Sequence, residues 1–450
     1  MITNFELENF KAFSHKQSLK LAPITLIYGP NSSGKSSVIQ ALMMLQQTLK
    51  AADQDGKLIT SGSSISLGTF ESLIHKQDKK STMQFTIEYD SQINAEDFKH
   101  RYSYEMLFAN SDIRKLELSY GCIDSKPLLM HYNFSCSNKS GIKVDYQLVR
   151  SRATSQGANF SLNNPHSLEL AIVRRAGIKK TDGKSWVDVS DYLSKPFGIS
   201  QILSIPTIRD SVGGEANLYT DRVVDDVAHM INDYKYLGPL RSSPKKIYSE
   251  YTEKNNSGSG KNNLGLEMYN SSSNTIKSIN KFLEQFKIPY KIFVKDLGDV
   301  NTGPLISIQL EDLRNGTVIT PKDVGFGIGQ VLPIILEAIV STNKLICVEQ
   351  PEIHLHPRLQ AHLADLFIES TKSEKNNQWI IETHSEALML RIQKRIREGV
   401  ISKDMVSVLY IDVGESGAQV TSLHLDDEGD FLTHWPNGFF EERLNEVFGG

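Results

Sequence analysis

Gly29, Gly34, Lys35 and Ser36 carry the first recognisable chemistry in this chain. They stand in the stretch Leu-Ile-Tyr-Gly-Pro-Asn-Ser-Ser-Gly-Lys-Ser that runs from Leu26 to Ser36. A glycine, four residues, then Gly-Lys-Ser spell a phosphate-binding loop. The glycines let the backbone curl so that successive N–H groups point at phosphate oxygens. The helix expected to follow adds the positive end of its dipole. Lys35 is expected to reach the β- and γ-phosphates, and the Ser36 hydroxyl to hold Mg²⁺. Pro30, Asn31, Ser32, Ser33 and Ser37 complete the loop and its exit. The competing reading is a chance glycine turn.

Acids follow at the end of a second apolar run, Leu-Ile-Cys-Val-Glu-Gln-Pro-Glu, residues 345–352. In phosphate-loop enzymes a carboxylate at such a strand end holds Mg²⁺, usually through water. Glu349 takes that position. A second carboxylate normally polarises the attacking water, but Gln350 comes next and Glu352 is the next acid. Gln orients a water but is no base. Either Glu352 does the work or hydrolysis is slow. His384, at the end of Trp-Ile-Ile-Glu-Thr-His, is placed to contact a γ-phosphate; the competing reading is a satisfied loop histidine. A second Gly-rich stretch, Asp323 to Gln330, contributes Gly325, Gly327, Gly329 and Gln330. It reads as a loop opening a buried helix, and such a loop presents N–H groups to phosphate. Glycines also permit close helix packing, so alone it is a weak signal.

Two further clusters invite metal readings. His354 and His356, with Glu352 and His362 nearby, admit zinc, but these histidines need only be loop or interface residues. Asp426 to Asp430 is read as a solvated turn rather than a nuclease metal site.

These residues need elements to hold them. Ile24, Leu26 and Ile27 read as a buried strand, and Val38, Leu42, Leu45 and Leu49 recur at helical spacing. Ile2 to Phe13 alternates and reads as an opening strand. Phe10, Lys11 and Phe13 at its end either flank an adenine or ribose, or belong to a plain edge strand with a half-buried Phe. Ala51 to Ser66 reads as an exposed loop. Strands are expected at 82–89, 102–108, 114–120 and 143–149, the alternation suiting half-buried antiparallel pairs. Asn/Ser-rich turns are expected at 133–141 and 155–164, and a helix at 221–230. Tyr236 to Arg241 reads as a strand end and turn. Asn255 to Asn263 is a flexible loop. A helix is expected at 276–286, then strands at 290–294, 305–310 and 318–320 with Asn315-Gly316 as a hairpin turn. Leu359, Leu363, Leu366 and Phe367 mark another helix. Residues 406–411 and 419–425 read as a closing hairpin, and Phe439 to Phe448 as a short terminal helix.

Composition bounds the class. The chain has 450 residues, 39% of them hydrophobic and 23% charged, which is ordinary for a soluble globular protein. Its formal charge of −4 excludes a globally basic nucleic-acid coat but not a local basic patch. Three cysteines without CxxC spacing fit a reducing cytoplasm. No run is apolar and long enough to span a bilayer, and the N-terminal stretch is not expected to be a signal peptide.

The phosphate loop, the 323–330 stretch, Val-Glu-Gln-Pro-Glu-Ile-His-Leu-His-Pro at 348–357 and Glu-Thr-His at 382–384 resemble, in that order, the soluble ATP-binding-cassette ATPases. That group includes chromosome-maintenance and recombination-repair ATPases. The closer resemblance is to the overcoming-lysogenization-defect and Septu-type ATPases of antiphage systems. Trp435 to Leu444 is similar to a C-terminal segment of some members. The resemblance covers roughly residues 1–49 and 236–450. It implies a P-loop NTPase head of α/β class with a mixed central sheet; the alternating strands add an antiparallel β subdomain, and the weak signal of 121–234 reads as a middle insertion that the resemblance leaves unexplained. It also implies dimerisation around ATP, with the 323–330 loop of one subunit closing on the γ-phosphate held by the other. That loop lacks the usual Ser, so its phosphate contact would be made through backbone. No glutamine switch stands out; His75 or a neighbour is the candidate. A nuclease domain of the kind that follows such heads is not expected here. The expected division is 1–120 and 235–450 for the two parts of the head, with 121–234 inserted for partner or nucleic-acid contacts. ATP and Mg²⁺ are the expected cofactors. A homodimer or larger homo-oligomer, a separate effector protein and possible nucleic acid are the expected partners, with no membrane.

Overall fold

The computed structural model describes residues 1–51, 57–62, 64–90, 111–138, 143–154, 157–163, 186–188, 234–239, 241, 245–249, 264–324 and 326–436. The chain divides into two compact units. One comprises Met1–Leu21, Ser32–Asp233 and Asp412–Val420; the other comprises Ala22–Asn31, Tyr234–Ile411 and Thr421–Gly450.

The first unit is built on an antiparallel sheet of β1 (Ile2–Glu8), β2 (Gln17–Lys20), β4 (Met83–Tyr89), β5 (Ser111–Ile123), β6 (Lys126–Asn138), β7 (Lys143–Thr154), β8 (Gly157–Asn163) and β9 (Trp186–Asp188), in the order β2-β1-β4-β5-β6-β7-β8-β9. Period-two alternation builds it. Phe5 and Leu7, Phe85 and Ile87, and Leu116, Leu118 and Tyr120 are buried. The intervening face carries charge, with Lys115 paired to Glu117 at 2.7 Å. The same unit holds α1 (Lys35–Lys50) and the one-turn α2 (Phe70–Leu73). On α1, Val38, Leu42 and Leu45 are buried. Gln47 of α1 donates to Ile59 O at 2.7 Å and accepts from Ile65 N at 3.2 Å, so the loop after the helix is pinned rather than free.

In the second unit the strands run in the sheet order β10-β14-β15-β3-β16: β10 (Tyr234–Leu237), β14 (Leu345–Glu349), β15 (Gln378–Glu382), β3 (Ile24–Tyr28) and most of β16 (Val406–Gly414). The pairs β10–β14, β14–β15, β15–β3 and β3–β16 are parallel. β3, β14 and β15 are buried along their whole length. Their unbroken apolar runs suit a sheet covered on both faces. Also in this unit are α3 (Leu264–Asn270), α4 (Ser273–Gln285), α5 (Phe326–Val340), α6 (Pro357–Thr371) and α7 (Glu386–Arg397). β11 (Tyr290–Asp296), β12 (Ile306–Asp312) and β13 (Val318–Ile319) form a small antiparallel sheet. No helix of the described residues is long and apolar enough to cross a membrane.

Several expectations need correction. β1 ends at Glu8, and it lies between β2 and β4, not at an edge. Asn9 and Lys11 have positive φ, and this reversal drives Phe10 and Phe13 into full burial. Phe10 meets Phe85 edge-on at 5.6 Å, and Lys11 binds Gln40. The turns expected at 133–141 and 155–164 are largely strand, because β6 runs to Asn138 and β8 occupies Gly157–Asn163. Asn and Ser there sit on a long cross-strand ladder, whose pairing overrides their turn preference. The boundary at 120/121 falls inside β5, and β6 to β9 extend the same sheet. The Gly-rich stretch is helical from Phe326 onward, so only its first residues are loop. The strand expected at 102–108, the helix at 221–230, the loop at 255–263 and the terminal helix at 439–448 lie outside the described residues.

Candidate functional site

β3 ends at Tyr28, and the chain turns through Gly29 (φ 145°), Ser32 (φ 62°) and Gly34 (φ 104°) before α1 opens at Lys35. A Cβ on Gly34 would lie 3.3 Å from Ala12 Cβ and 3.4 Å from the Phe13 ring. The positive φ favours glycine there, and a Cβ would also sit tightly against its neighbours. No side chain caps α1. The Ser37 N–H donates to Gly34 O at 3.0 Å, so the helix opens on a tight backbone turn. Ser33 is buried with its Oγ lacking a hydrogen-bond partner, and Lys35 is buried too. Ser36 is half-buried, and Pro30, Asn31 and Ser32 are exposed.

The strand register sets the second half of the site. Glu349 of β14 stands across from Glu382 of β15, and Glu382 stands across from Ile27 of β3. The two carboxylates and the start of the phosphate loop therefore leave one edge of the sheet, at the carboxyl ends of its parallel strands. Ligands of open α/β sheets bind at that edge. Glu349 is only 6% exposed. It accepts a hydrogen bond from Tyr236 Oη on the neighbouring β10 at 3.1 Å. Burial, with Glu349 beside it, pushes the Tyr236 phenol well above its ordinary pKa, so it remains a donor.

Gln350 follows with φ 45°, an uncommon conformation for a non-glycine residue. Its N–H donates to Glu382 O at 2.7 Å. Arg241 Nη2 donates to Glu349 O at 2.9 Å and makes a longer contact of 3.5 Å to Gln350 O. The Arg241 side chain is buried, which lowers its pKa to about 10, against the attraction of Glu352 and Glu349. It stays charged at neutral pH. Arg241 O accepts from Gln330 Nε2 at 3.3 Å. Gln330 is thus turned inward from the second turn of α5, its Nε2 bonded within the chain and its Oε1 buried without a hydrogen-bond partner. Gly327 and Gly329 lie in the opening of the same helix. A Cβ on Gly327 would lie 3.0 Å from His354 O, so this glycine permits close packing. Gly325 lies outside the described residues.

Glu352 is expected from sequence as an alternative base, yet both its oxygens accept hydrogen bonds. Thr383 Oγ1 donates to Oε2 and the His384 N–H to Oε1, each at 2.7 Å. Burial raises the Glu352 pKa, and these two donors and Arg241 oppose the rise. The carboxylate fixes the turn that carries His384. Ser385 continues that turn by capping α7, accepting from Leu388 N at 3.1 Å while donating to Gln360 Oε1 at 2.7 Å. Tyr28 Oη donates to Ser385 O at 3.1 Å. His384 is therefore held on a hydrogen-bonded turn between β15 and α7.

His356 and His362 have structural roles. His356 caps α6, its Nδ1 accepting from Arg358 N, and His362 stacks on Phe286 and pairs with Asp365. No group of three metal-binding side chains occurs among the described residues. Asp426 is spent on its own turn, accepting from Glu428 N and Asp430 N. His75 Nδ1 lies 2.8 Å from Lys11 O. Sequence reasoning missed Tyr236, Arg241, Glu382 and Thr383 as parts of this network. The one signal for Arg241 was its place directly after a strand and a Leu-Gly-Pro-Leu turn.

A sequence profile of the AAA ATPase domain matches residues 1–389. No curated protein matches the chain. Among solved structures, the SMC head domain from Thermotoga maritima is similar at 10% identity and a TM-score of 0.37, covering 94% of this chain and 99% of that one. An Smc head domain with an extended coiled coil bound to the C-terminal domain of ScpA, derived from Pyrococcus furiosus, is similar at 11% identity and a TM-score of 0.43, covering 99% and 98%. An Smc head domain with a coiled coil and joint, derived from Pyrococcus yayanosii, is similar at 11% and 0.41, covering 95% and 98%. Likenesses this loose carry no residue roles.

Proposed function

The chain belongs to the AAA ATPase domain family, and from that membership we propose that it is an ATP-gated switch of a bacterial antiphage system, working in the cytoplasm. Its reaction is ATP plus water to ADP and phosphate. Residues Gly29 to Ser37 are assigned to the triphosphate, with Lys35 on its β- and γ-oxygens. Ser36 and Glu349 are assigned to Mg²⁺, a hard cation that takes oxygen ligands of this kind. Mg²⁺ would supply charge neutralisation of the phosphates. The orphaned Ser33 Oγ and the uncapped opening of α1 support this fit to a phosphate group. His384 is assigned to the γ-phosphate. The opening of α5, with Gly325, Gly327 and Gly329, is assigned to the γ-phosphate of a second copy, through backbone N–H groups. ATP then joins two copies, and the joined state licenses a separate effector such as a nuclease or toxin.

The observation that carries this reading is the parallel register that sends Glu349, Glu382 and the start of the phosphate loop off one sheet edge. Gln350 in place of a carboxylate, with both oxygens of Glu352 already engaged, favours slow turnover suited to a timed switch. The test is light scattering of the purified chain with and without Mg²⁺–ATP, in parent and Lys35→Ala, beside a phage plaque assay with the neighbouring genes present. ATP-dependent dimerisation and phage protection, both lost in Lys35→Ala, are expected. Dimerisation without protection, together with DNA-stimulated and salt-sensitive hydrolysis, would move the reading to DNA-end handling.

A further inference from the structure

Arg241 has one role the reaction scheme leaves unassigned. It is 8% exposed, and its guanidinium reaches a strand end 108 residues away in sequence. Nη2 spans two consecutive carbonyls, those of Glu349 and Gln350, at 2.9 and 3.5 Å. Nε and Nη1 are buried without a hydrogen-bond partner. A buried cation with donors to spare is costly to keep. Packing alone would be served as well by a long apolar side chain. What the guanidinium adds is a clamp on the peptide that holds Gln350 at φ 45°. A non-glycine residue in that region persists only when its surroundings hold it there. The second hold on Gln350 is its N–H to Glu382 O. The backbone carbonyl of Arg241 is itself held, by Gln330 from α5. One residue thus ties the opening of α5 to the strand end that carries Glu349 and Gln350.

We propose that Arg241 is a positioning residue for ATP hydrolysis, acting through the Glu349–Gln350 peptide to aim the Gln350 side chain at the attacking water. This rests on the assignment of Glu349 to the magnesium–triphosphate. Arg241 does not touch the nucleotide, so it governs turnover rather than nucleotide affinity. Lysine keeps the charge, but its ammonium is a compact, strongly hydrated point charge on a flexible stem and holds the two carbonyls less firmly when buried.

The test is steady-state hydrolysis and Mg²⁺–ATP affinity of the full chain, for Arg241→Met, Arg241→Lys, Gln350→Ala and the double variant Arg241→Met/Gln350→Ala, with thermal unfolding of each. Arg241→Met is expected to lower kcat about tenfold or more while ATP affinity stays within about threefold. Arg241→Lys is expected to recover only part of that loss. The double variant is expected to be no slower than the slower single variant, since both act at one point. Unchanged kcat in Arg241→Met, a kcat loss matched by lost affinity, or losses that multiply in the double variant would overturn the proposal. Should Arg241→Met fail to fold, Arg241→Lys and its double variant with Gln350→Ala carry the same comparison. Glu349→Gln separates the two levels. If it leaves Mg²⁺-dependent hydrolysis intact, the site assignment fails; if it abolishes hydrolysis while Arg241→Met does not lower kcat, only the positioning role fails.

Discussion

The Glu352 carboxylate takes the His384 backbone N–H on one oxygen and the Thr383 hydroxyl on the other, each at 2.7 Å. A carboxylate so engaged shapes a turn and has little capacity left for a water proton. Gln350, one residue after the strand-end Glu349, is left as the polar side chain nearest in sequence to the expected base position.

Replacing Glu352 by Gln puts an amide N–H₂ against one of the two donors. The variant should lose about 1–3 kcal/mol of unfolding free energy, the cost of an unmatched buried polar pair. Hydrolysis should fall with it as the His384 turn loosens. Denaturant unfolding beside an ATPase assay checks this. If turnover collapsed with stability unchanged, Glu352 would be acting as a base instead.

Gln350→Glu restores a carboxylate where a general base is expected. Mg²⁺-dependent turnover should rise, by roughly tenfold or more, from general-base assistance. The same variant should be less stable in a chelator, because the new charge joins Glu349 and Glu382 at one strand edge. Phosphate-release kinetics and melting in EDTA read the two effects separately.

Gly34→Ala meets both a φ of 104° and the side chains of Ala12 and Phe13 at 3.3–3.4 Å. Strain of about 1–3 kcal/mol is expected, and it falls on the loop itself. Binding of a fluorescent ATP analogue should weaken more than the melting temperature falls. Gly399→Ala is the control: its φ is also positive (68°), but a Cβ there meets nothing within 4 Å and it lies far in sequence from the loop, so it should cost stability alone.

Asp312 is gripped by Arg314, whose Nε and Nη2 donate to its two oxygens at 2.8 and 2.7 Å. These bonds hold its pKa down to about 2, against about 4 in an unfolded chain. A depressed carboxylate stabilises the fold above its unfolded pKa and loses that contribution as pH falls through its folded pKa. Stability should therefore drop between about pH 4 and about pH 2. In Asp312→Asn the part of that drop owed to this residue should vanish. Urea titrations at fixed pH values across the window check it.

The amino-acid sequence by itself determined what lies within a few residues of a motif. The Gly29–Ser36 spacing gave the strand, the loop and the helix, since glycine conformation and helical periodicity are local properties. Apolar runs at 345–348 and 379–381 marked buried strands for the same reason, and Glu349 at the end of the first pointed to a nucleotide site. Tertiary structure alone decided what fills the space around those ends. Arg241 reaches Glu349 across 108 residues, and Thr383 reaches Glu352 across 31. Neither contact has a sequence period to betray it. The same holds for Phe10 and Phe13, which a backbone reversal buries. Periodicity encodes which face of an element is apolar. Which distant side chain will satisfy a buried carbonyl or carboxylate is fixed only when the strands align.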